Sequence, residues 1–246
     1  MQLQGLPVFG VSRCGKTCSV IEMLCAEWGF YFNAAKSDIG SDDLSRLAGF
    51  IDSNTSDDSA NINTRFAKNA TLLLFLSRFM ILYYCLKVPG CRQTFSSARW
   101  TLLQACPYMF KDVFVHLFIK LCDLMKGRAL VESMLASIVR EEFESLRDKP
   151  AARDYSNFSS DSKLRLVIDE AQILSDKHPT LFASSSIQGN LRPMLSPCLR
   201  AFRTVGLRDE LKIIYYGTGL SIRTLHWALS SGDVIKEYGS STFPCK

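Results

Sequence analysis

Residues 10–17 have the residue types of a loop that binds nucleotide phosphates. Their sequence, GVSRCGKT, matches the spacing G-x-x-x-x-G-K-[ST], in which Gly10 and Gly15 frame four residues. Glycines let the backbone approach phosphate oxygens without a Cβ in the way. The backbone N–H groups from Arg13 to Thr17 are expected to form an anion-binding nest, reinforced by the start of the following helix. The spacing therefore predicts a nucleotide site.

The side chains of this loop have separate expected roles. Lys16 is expected to neutralise the β- and γ-phosphate oxygens and to act in catalysis, and the Thr17 hydroxyl is expected to ligate Mg²⁺. The alternative is a glycine turn that enters a helix, with Lys16 as a solvated charge. Cys14 is interpreted either as a reactive thiol near a helix N-terminus or as a small residue that fits the loop. The predicted nucleotide-binding residues are Gly10, Arg13, Cys14, Gly15, Lys16, Thr17 and Cys18.

Two acidic residues close a predicted strand in the segment LRLVIDEAQIL. Asp169 and Glu170 stand at the carboxyl end of this strand, which is predicted over 164–170. In open α/β sheets, ligands bind beyond the carboxyl ends of the strands. We expect Asp169 to hold Mg²⁺ through water and Glu170 to polarise the attacking water. Acids also cap helices, but the glycine loop and the acid pair together favour a nucleotide site.

A third segment, LKIIYYGTG (211–219), predicts another buried strand that ends in glycine. Thr218 would there present its hydroxyl between the acid pair and the γ-phosphate, as a catalytic residue. A plain glycine turn is the alternative. An arginine from the same chain or from a neighbouring subunit could also reach the γ-phosphate. The candidates are Arg192, Arg200, Arg203, Arg208 and Arg223, of which most are expected to be surface charges.

The elements that position these residues alternate between strand and helix patterns. Short apolar segments predict strands at 6–9 and 30–35, and the apolar spacing between 16 and 28 predicts a helix. Another helix is predicted to begin near Pro193 or Ser196. This alternation predicts an α/β fold of three layers with a mainly parallel sheet, of the kind found in P-loop NTPases.

A long helical region separates the second strand from the acid-bearing strand. It is predicted over 63–147, after a polar loop at 52–62, and a polar linker at 148–163 follows it. We interpret the region as a large helical insertion or subdomain within a single domain over 1–246. A short C-terminal tail over 231–246 completes this division.

Composition limits the class of protein. The chain has 246 residues, of which 47% are hydrophobic and 22% charged, as in ordinary globular proteins. Nine cysteines and three histidines lack metal-ligand spacing, and a reducing, intracellular compartment is favoured. The N-terminus lacks a secretory signal pattern. The apolar segment 71–88 is interrupted by Arg78, so a buried helix is expected rather than a membrane span.

Several blocks of the sequence resemble the P-loop NTPase module of Crinkler-type proteins, which occur in fungi and oomycetes and belong to the STAND/AAA-like ATPases. The blocks cover most of 8–225 and occur in the same order. The resemblance implies an ATPase of the additional-strand class, with ATP and Mg²⁺ as cofactors. Gly10 to Thr17 would be its Walker A motif, Asp169 and Glu170 its Walker B acids, and Thr218 its sensor residue. The blocks are FGVSRCGKTCSVIEMLCAEWGFYFNAA, SDIGSDDL, LRLVIDEAQIL, LRPMLSPCLRAF and YYGTGLSI.

The resemblance further implies an effector or conflict toxin that acts in nuclei, including those of a host cell, with nucleic acid as a partner. In that family a C-terminal nuclease- or kinase-like domain commonly accompanies the module. About two dozen residues follow GTGLSI and no ubiquitin-like header precedes LPVF, so we expect the NTPase module alone. Three functions follow: an ATPase, a nucleotide-binding switch or scaffold with little turnover, and a small-molecule phosphotransferase, which the Asp-Glu pair disfavours. A second copy of the chain, in a homo-oligomer, is an additional candidate partner.

Overall fold

The computed structural model describes residues 6–9, 15–35, 39–56, 59–88, 94–109, 111–125, 132–148, 164–184, 190–205 and 211–217. The chain begins with β1 (Leu6–Phe9), α1 (Lys16–Ala26) and β2 (Gly29–Asn33). The described residues then form the α-helices α2 (Asp43–Asp52), α3 (Ala60–Lys87), α4 (Ser97–Ala105), α5 (Val113–Met125) and α6 (Glu132–Asp148), with a short 3-10 helix at Pro107–Met109 between α4 and α5. The described elements that follow are β3 (Leu164–Asp169), α7 (Gln172–Asp176), β4 (Phe182–Ala183), β5 (Leu191–Arg192), α8 (Leu195–Thr204) and β6 (Leu211–Gly217).

Four strands form one parallel sheet in the order β1-β6-β3-β2. β6 pairs with both β1 and β3, and β2 pairs with the other side of β3. Parallel strands covered on both faces are nearly continuous apolar runs, as in the segments LVI of β3 and IIYY of β6. The predicted α/β class with a parallel sheet is therefore confirmed. The short strands β4 and β5 form a separate antiparallel pair.

Helices cover both faces of this sheet, because alternate residues of each strand point to opposite faces. On one face, α1 contributes Val20 and Leu24 to a cluster of buried side chains. The sheet residues of that cluster are Tyr31, Val167, Ile214 and Tyr216. On the other face, α3 and α8 contribute to a larger core. Its sheet residues include Phe30, Phe32, Leu166, Ile168, Ile213 and Tyr215.

The helix α3 is a core helix of this second face. Its length and composition alone would allow it to cross a membrane, and it is the one such helix in the described part of the chain. Residues 71–79 are all buried, however, and 67% of its most apolar stretch is covered by the rest of the protein. The rings of Phe75 and Phe79 pack against Phe30 at centroid distances of 5.1 and 5.0 Å. The expectation of a buried helix agrees with this packing.

The helix begins at Ala60, three residues before the predicted boundary, so the polar loop is shorter than predicted. Polar side chains of its first turns are buried and form hydrogen bonds with the β4 region. Asn63 Nδ2 donates to the carbonyl of Leu181, and Thr64 Oγ1 accepts from the N–H of Ala183. Polar composition therefore indicated a loop where the chain forms a helix.

Side chains of α4 close the outer edge of β2. Trp100 Nε1 and Gln104 Nε2 both donate to the carbonyl of Gly29, at 2.7 and 3.1 Å. Gln104 Oε1 accepts from the backbone N–H of Tyr31 at 3.0 Å. The Gln104 amide thus supplies a donor and an acceptor to β2, as a neighbouring strand would.

An ion pair lies buried beside this edge. Arg78 of α3 donates through Nε and Nη2 to the two carboxylate oxygens of Asp43, at 2.6 and 2.8 Å. Both side chains are fully buried. Arg78 Nη1 also donates to Gln104 Oε1 at 3.3 Å, and its guanidinium lies 3.9 Å from the ring centre of Phe114 and 4.8 Å from that of Phe32. The arginine that interrupts the apolar run is thus held by a carboxylate, an amide oxygen and two aromatic rings.

Candidate functional site

Gly15 begins the site at the N-terminus of α1. Its φ of 77° lies in the left-handed region, which glycine adopts without the strain that a Cβ would cause. A Cβ at this position would meet nothing within 4 Å, so conformation rather than space selects glycine. Lys16 and Thr17 are the first two residues of α1, whose leading N–H groups have no partner within the helix. Cys18 follows them and is exposed.

Thr17 and Asp169 come together although 152 positions separate them. The Thr17 hydroxyl donates to Asp169 Oδ2 at 3.0 Å. Asp169 is the last residue of β3 and only 2% exposed. Because β1 and β3 are parallel members of one sheet, their carboxyl ends lie at the same edge, and α1 starts beside that edge. The structure therefore brings the first acid of the pair into contact with the residue that follows Lys16 at the end of the glycine loop.

Tyr31 of β2 is a third member of the site, which sequence reasoning missed. Its hydroxyl donates to Asp169 Oδ2 at 2.9 Å, and its side chain is fully buried. Burial and the negative charge of Asp169 raise the pKa of Tyr31 well above its usual range, so the hydroxyl stays protonated and acts as a donor. The available signal was the alternation in FYF, which places Tyr31 opposite to the two phenylalanines and toward α1.

Glu170 leaves the strand in a left-handed conformation with a φ of 52°. Its backbone N–H donates to Asp169 Oδ1 at 3.0 Å, and the N–H of Ala171 donates to the carbonyl of Tyr216 at 2.8 Å. Gln172 Nε2 donates to Glu170 Oε2. This contact was also not predicted. The chain thus turns sharply after Asp169, and a side-chain amide engages the second acid of the pair.

β6 ends beside the acid pair. Gly217, its last residue, is in register with Phe9 at the end of β1. Tyr216 precedes Gly217 and lies on the same face of the sheet as Asp169. Burial and the negative charge of Asp169 raise the pKa of Tyr216. The predicted residues Gly10, Arg13, Cys14 and Thr218 lie outside the described residues. Their expected roles remain predictions.

The structure describes three of the candidate arginines. Arg192 is buried at 3% exposure in β5, and Arg200 donates through Nη1 to the carbonyl of Ala183 in β4. The β4–β5 pair contacts α3 through Thr64, on the face of the sheet opposite to Tyr31. The described contacts therefore place Arg192 and Arg200 beside α3. Arg203 stands in the last turn of α8, and Arg208 and Arg223 lie outside the described residues.

The donor set at Asp169 suits a hard cation that retains water. No cluster of three or more His, Cys, Asp or Glu side chains suited to a metal occurs within the described ranges. Thr17 and Asp169 instead offer one hydroxyl and one carboxylate 3.0 Å apart, with the Glu170 carboxylate next in sequence. Mg²⁺ is typically held by one or two carboxylates together with water and substrate phosphates. The oxygen-only donors fit Mg²⁺ and do not suit a thiolate- or imidazole-bound metal.

Comparisons with protein-family models, curated proteins and solved structures found no match to this chain.

Proposed function

We propose that this chain is an ATP-binding, Mg²⁺-dependent NTPase module that hydrolyses the β–γ phosphoanhydride of the nucleotide. The observation that carries the proposal is the hydrogen bond from Thr17 to Asp169. A glycine turn that merely enters a helix does not require an acid from a distant strand beneath its threonine. The bond joins the two halves of the proposed phosphate and metal site, which lie 152 positions apart in the sequence.

The order of strands also supports the proposal. β6 lies between β1, which leads into the glycine loop, and β3, which carries the acids. This is the arrangement that an additional-strand ATPase would have, as the resemblance to the Crinkler-type module implies. The carboxyl end of β6 reaches the same edge as Asp169, where a residue that follows Gly217 could contact the γ-phosphate.

Each residue has a proposed part in the reaction. The first turn of α1 and the Lys16 ammonium bind the anionic phosphates. The Thr17 hydroxyl and the Asp169 carboxylate would hold Mg²⁺, which would neutralise charge on the β- and γ-phosphates. The Glu170 carboxylate orients a water molecule and accepts its proton as that water attacks the γ-phosphorus and the bond to the β-phosphate oxygen breaks.

Phosphate release from ATP in the presence of Mg²⁺ tests the proposal. Glu170→Gln should bind ATP but lose turnover by about 10²-fold or more, the usual contribution of a general base. Lys16→Ala should lose both affinity and turnover. Lys120→Ala, which removes an exposed lysine from α5, serves as the matched control. Equal phosphate release by the wild type, Lys16→Ala and Glu170→Gln would refute the proposal.

The Gln172 contact favours a second candidate function, a nucleotide-binding switch with little turnover. An amide that donates to Glu170 Oε2 competes with the water molecule from which this oxygen would otherwise accept a hydrogen bond. Tight ATP binding in a thermal-shift assay without phosphate release, even on self-association or with added DNA, would support the switch. Turnover by the isolated monomer would contradict it. A gain of turnover in Gln172→Ala would show that this amide restrains the acid.

A further inference from the structure

We infer that Tyr31 is a positioning residue for the Asp169 carboxylate, an inference that rests on the proposed function. Tyr31 stands on the strand beside the acid-bearing strand. It is in register with Val167, and Asp169 lies two residues further along the same face of β3. Such diagonal neighbours lie within reach of a long aromatic side chain. The hydroxyl meets Asp169 Oδ2 at 2.9 Å.

Three donors together orient the carboxylate. The backbone N–H of Glu170 donates to Oδ1, and the hydroxyls of Thr17 and Tyr31 both donate to Oδ2. The torsion that rotates a carboxylate has a broad minimum, so hydrogen bonds rather than its intrinsic preference set the plane of the group. Thr17 is itself a proposed Mg²⁺ ligand. Tyr31 is the donor to Oδ2 that has no proposed contact with metal or phosphate.

Packing and a backbone hydrogen bond hold Tyr31 in place. Its ring packs in the cluster beneath α1 with Val20 and Leu24, and the side chain is fully buried. Its backbone N–H donates to Gln104 Oε1 at 3.0 Å, which fixes β2 from the outside. The position of the Tyr31 hydroxyl relative to the sheet is therefore fixed. A partner of this kind orients a metal-holding group without touching the metal.

The test compares Tyr31→Phe with Tyr215→Phe. The first removes one oxygen and keeps the ring. The second removes the hydroxyl of a similarly buried tyrosine on the opposite face of the sheet, so it controls for the loss of a buried hydroxyl. Binding of Mn²⁺, a paramagnetic substitute for Mg²⁺, is measured by electron paramagnetic resonance in the presence of ADP. Tyr31→Phe should bind Mn²⁺ about 10-fold more weakly, at the lower end of the loss typical for partners of metal ligands.

Two further measurements separate positioning from general damage. Metal-free ADP affinity should be unchanged in Tyr31→Phe, and the free energies of unfolding of Tyr31→Phe and Tyr215→Phe are measured to detect general damage. In phosphate release, the Mg²⁺ concentration for half-maximal rate should rise while kcat recovers at saturating Mg²⁺. Wild-type Mn²⁺ affinity in Tyr31→Phe, or a parallel loss of kcat and stability at every Mg²⁺ concentration, would overturn the inference and leave the proposed function standing. Failure of the wild type to bind ADP at all would refute the proposed function, and the inference with it.

Discussion

Removal of the Arg78 guanidinium should destabilise the protein more than any surface substitution. Arg78→Met keeps a long apolar stem but leaves the Asp43 carboxylate in a fully buried place without its cation. Breaking a buried ion pair on one side costs about 3–5 kcal/mol, because an uncompensated charge remains. The two bonds of 2.6 and 2.8 Å and the two aromatic rings beside the guanidinium place this pair at the upper end of that range.

The size of this loss can be compared with the stability of the whole domain. Single domains are typically stable by about 5–15 kcal/mol, so Arg78→Met should lose a large fraction of the total. The free energy of unfolding is measured by urea denaturation followed by circular dichroism. Surface substitutions usually change the free energy of unfolding by about 0.5 kcal/mol or less. The loss expected for Arg78→Met can therefore be distinguished from that of a surface substitution. The exposed Lys120→Ala variant serves as a surface reference.

A double-mutant cycle tests the cause of the loss. Asp43→Asn keeps the shape of the side chain and removes its charge. In the double variant with Arg78→Met neither charge remains, so most of the stability lost in the single variants should return. A loss below about 1 kcal/mol in Arg78→Met would refute the reasoning, since the carboxylate would then be solvated or neutral. Strictly additive losses would also refute it, because they would mean that the two side chains do not stabilise each other.

Two further predictions concern a close contact and a pH dependence. Gly29→Ala should destabilise the protein by about 1–3 kcal/mol, the usual cost of overpacking, because its Cβ would lie 2.4 Å from the carbonyl oxygen of Arg165 in β3. Partial burial raises the pKa of Asp52, but hydrogen bonds from Lys177 and His178 outweigh this effect and lower the pKa below its usual range. A lowered carboxyl pKa stabilises the folded state above the unfolded value and ceases to do so as pH falls through the folded value. Asp52→Asn should therefore lower the free energy of unfolding near neutral pH, by less than about 1 kcal/mol for so exposed a pair, and should have no effect in strong acid.

Each of these two predictions has its own control. Gly49→Ala is the matched control for Gly29→Ala. A Cβ at Gly49 would meet nothing within 4 Å, and alanine has a higher helix propensity than glycine in α2, which contains this residue. Gly49→Ala should be neutral or stabilising in the same urea titration, and a loss equal to that of Gly29→Ala would contradict the steric argument. For Asp52→Asn, a difference from wild type that persists in strong acid would show that the effect is not due to the carboxylate charge.

The sequence predicted those parts of the candidate site that directly follow strands. The strand patterns at 6–9 and 164–170 placed the glycine loop and Asp169 at carboxyl ends, and parallel strands bring such ends together. The loop-to-acid contact through Thr17 could therefore be expected from local patterns alone. Periodicity identifies a strand without its neighbours, so the position of β6 between β1 and β3 was not predicted from the sequence.

Other contacts depended on long-range packing that no local pattern contains. Tyr31 stands between two phenylalanines, and the alternation of this strand indicates the face on which it lies but not the bond of its hydroxyl to a residue 138 positions away. Arg78 was recognised as an interruption of an apolar run, but its partner Asp43 lies 35 positions earlier in another helix. The pairing of two buried charges depends on how α2 and α3 cross. A single sequence does not encode that crossing in its spacing.

The side chains that close the edge of β2 have a consequence for how the protein associates with other chains. An open sheet edge offers unpaired N–H and C=O groups, to which a strand from another molecule can add and begin aggregation. Trp100 and Gln104 occupy the Gly29 carbonyl and the Tyr31 N–H, so strand addition at β2 would first have to break these bonds. Both side chains belong to the helical region between β2 and β3. Excision of that region to obtain a smaller protein would therefore expose the unpaired edge of β2, and the shortened protein should aggregate rather than fold.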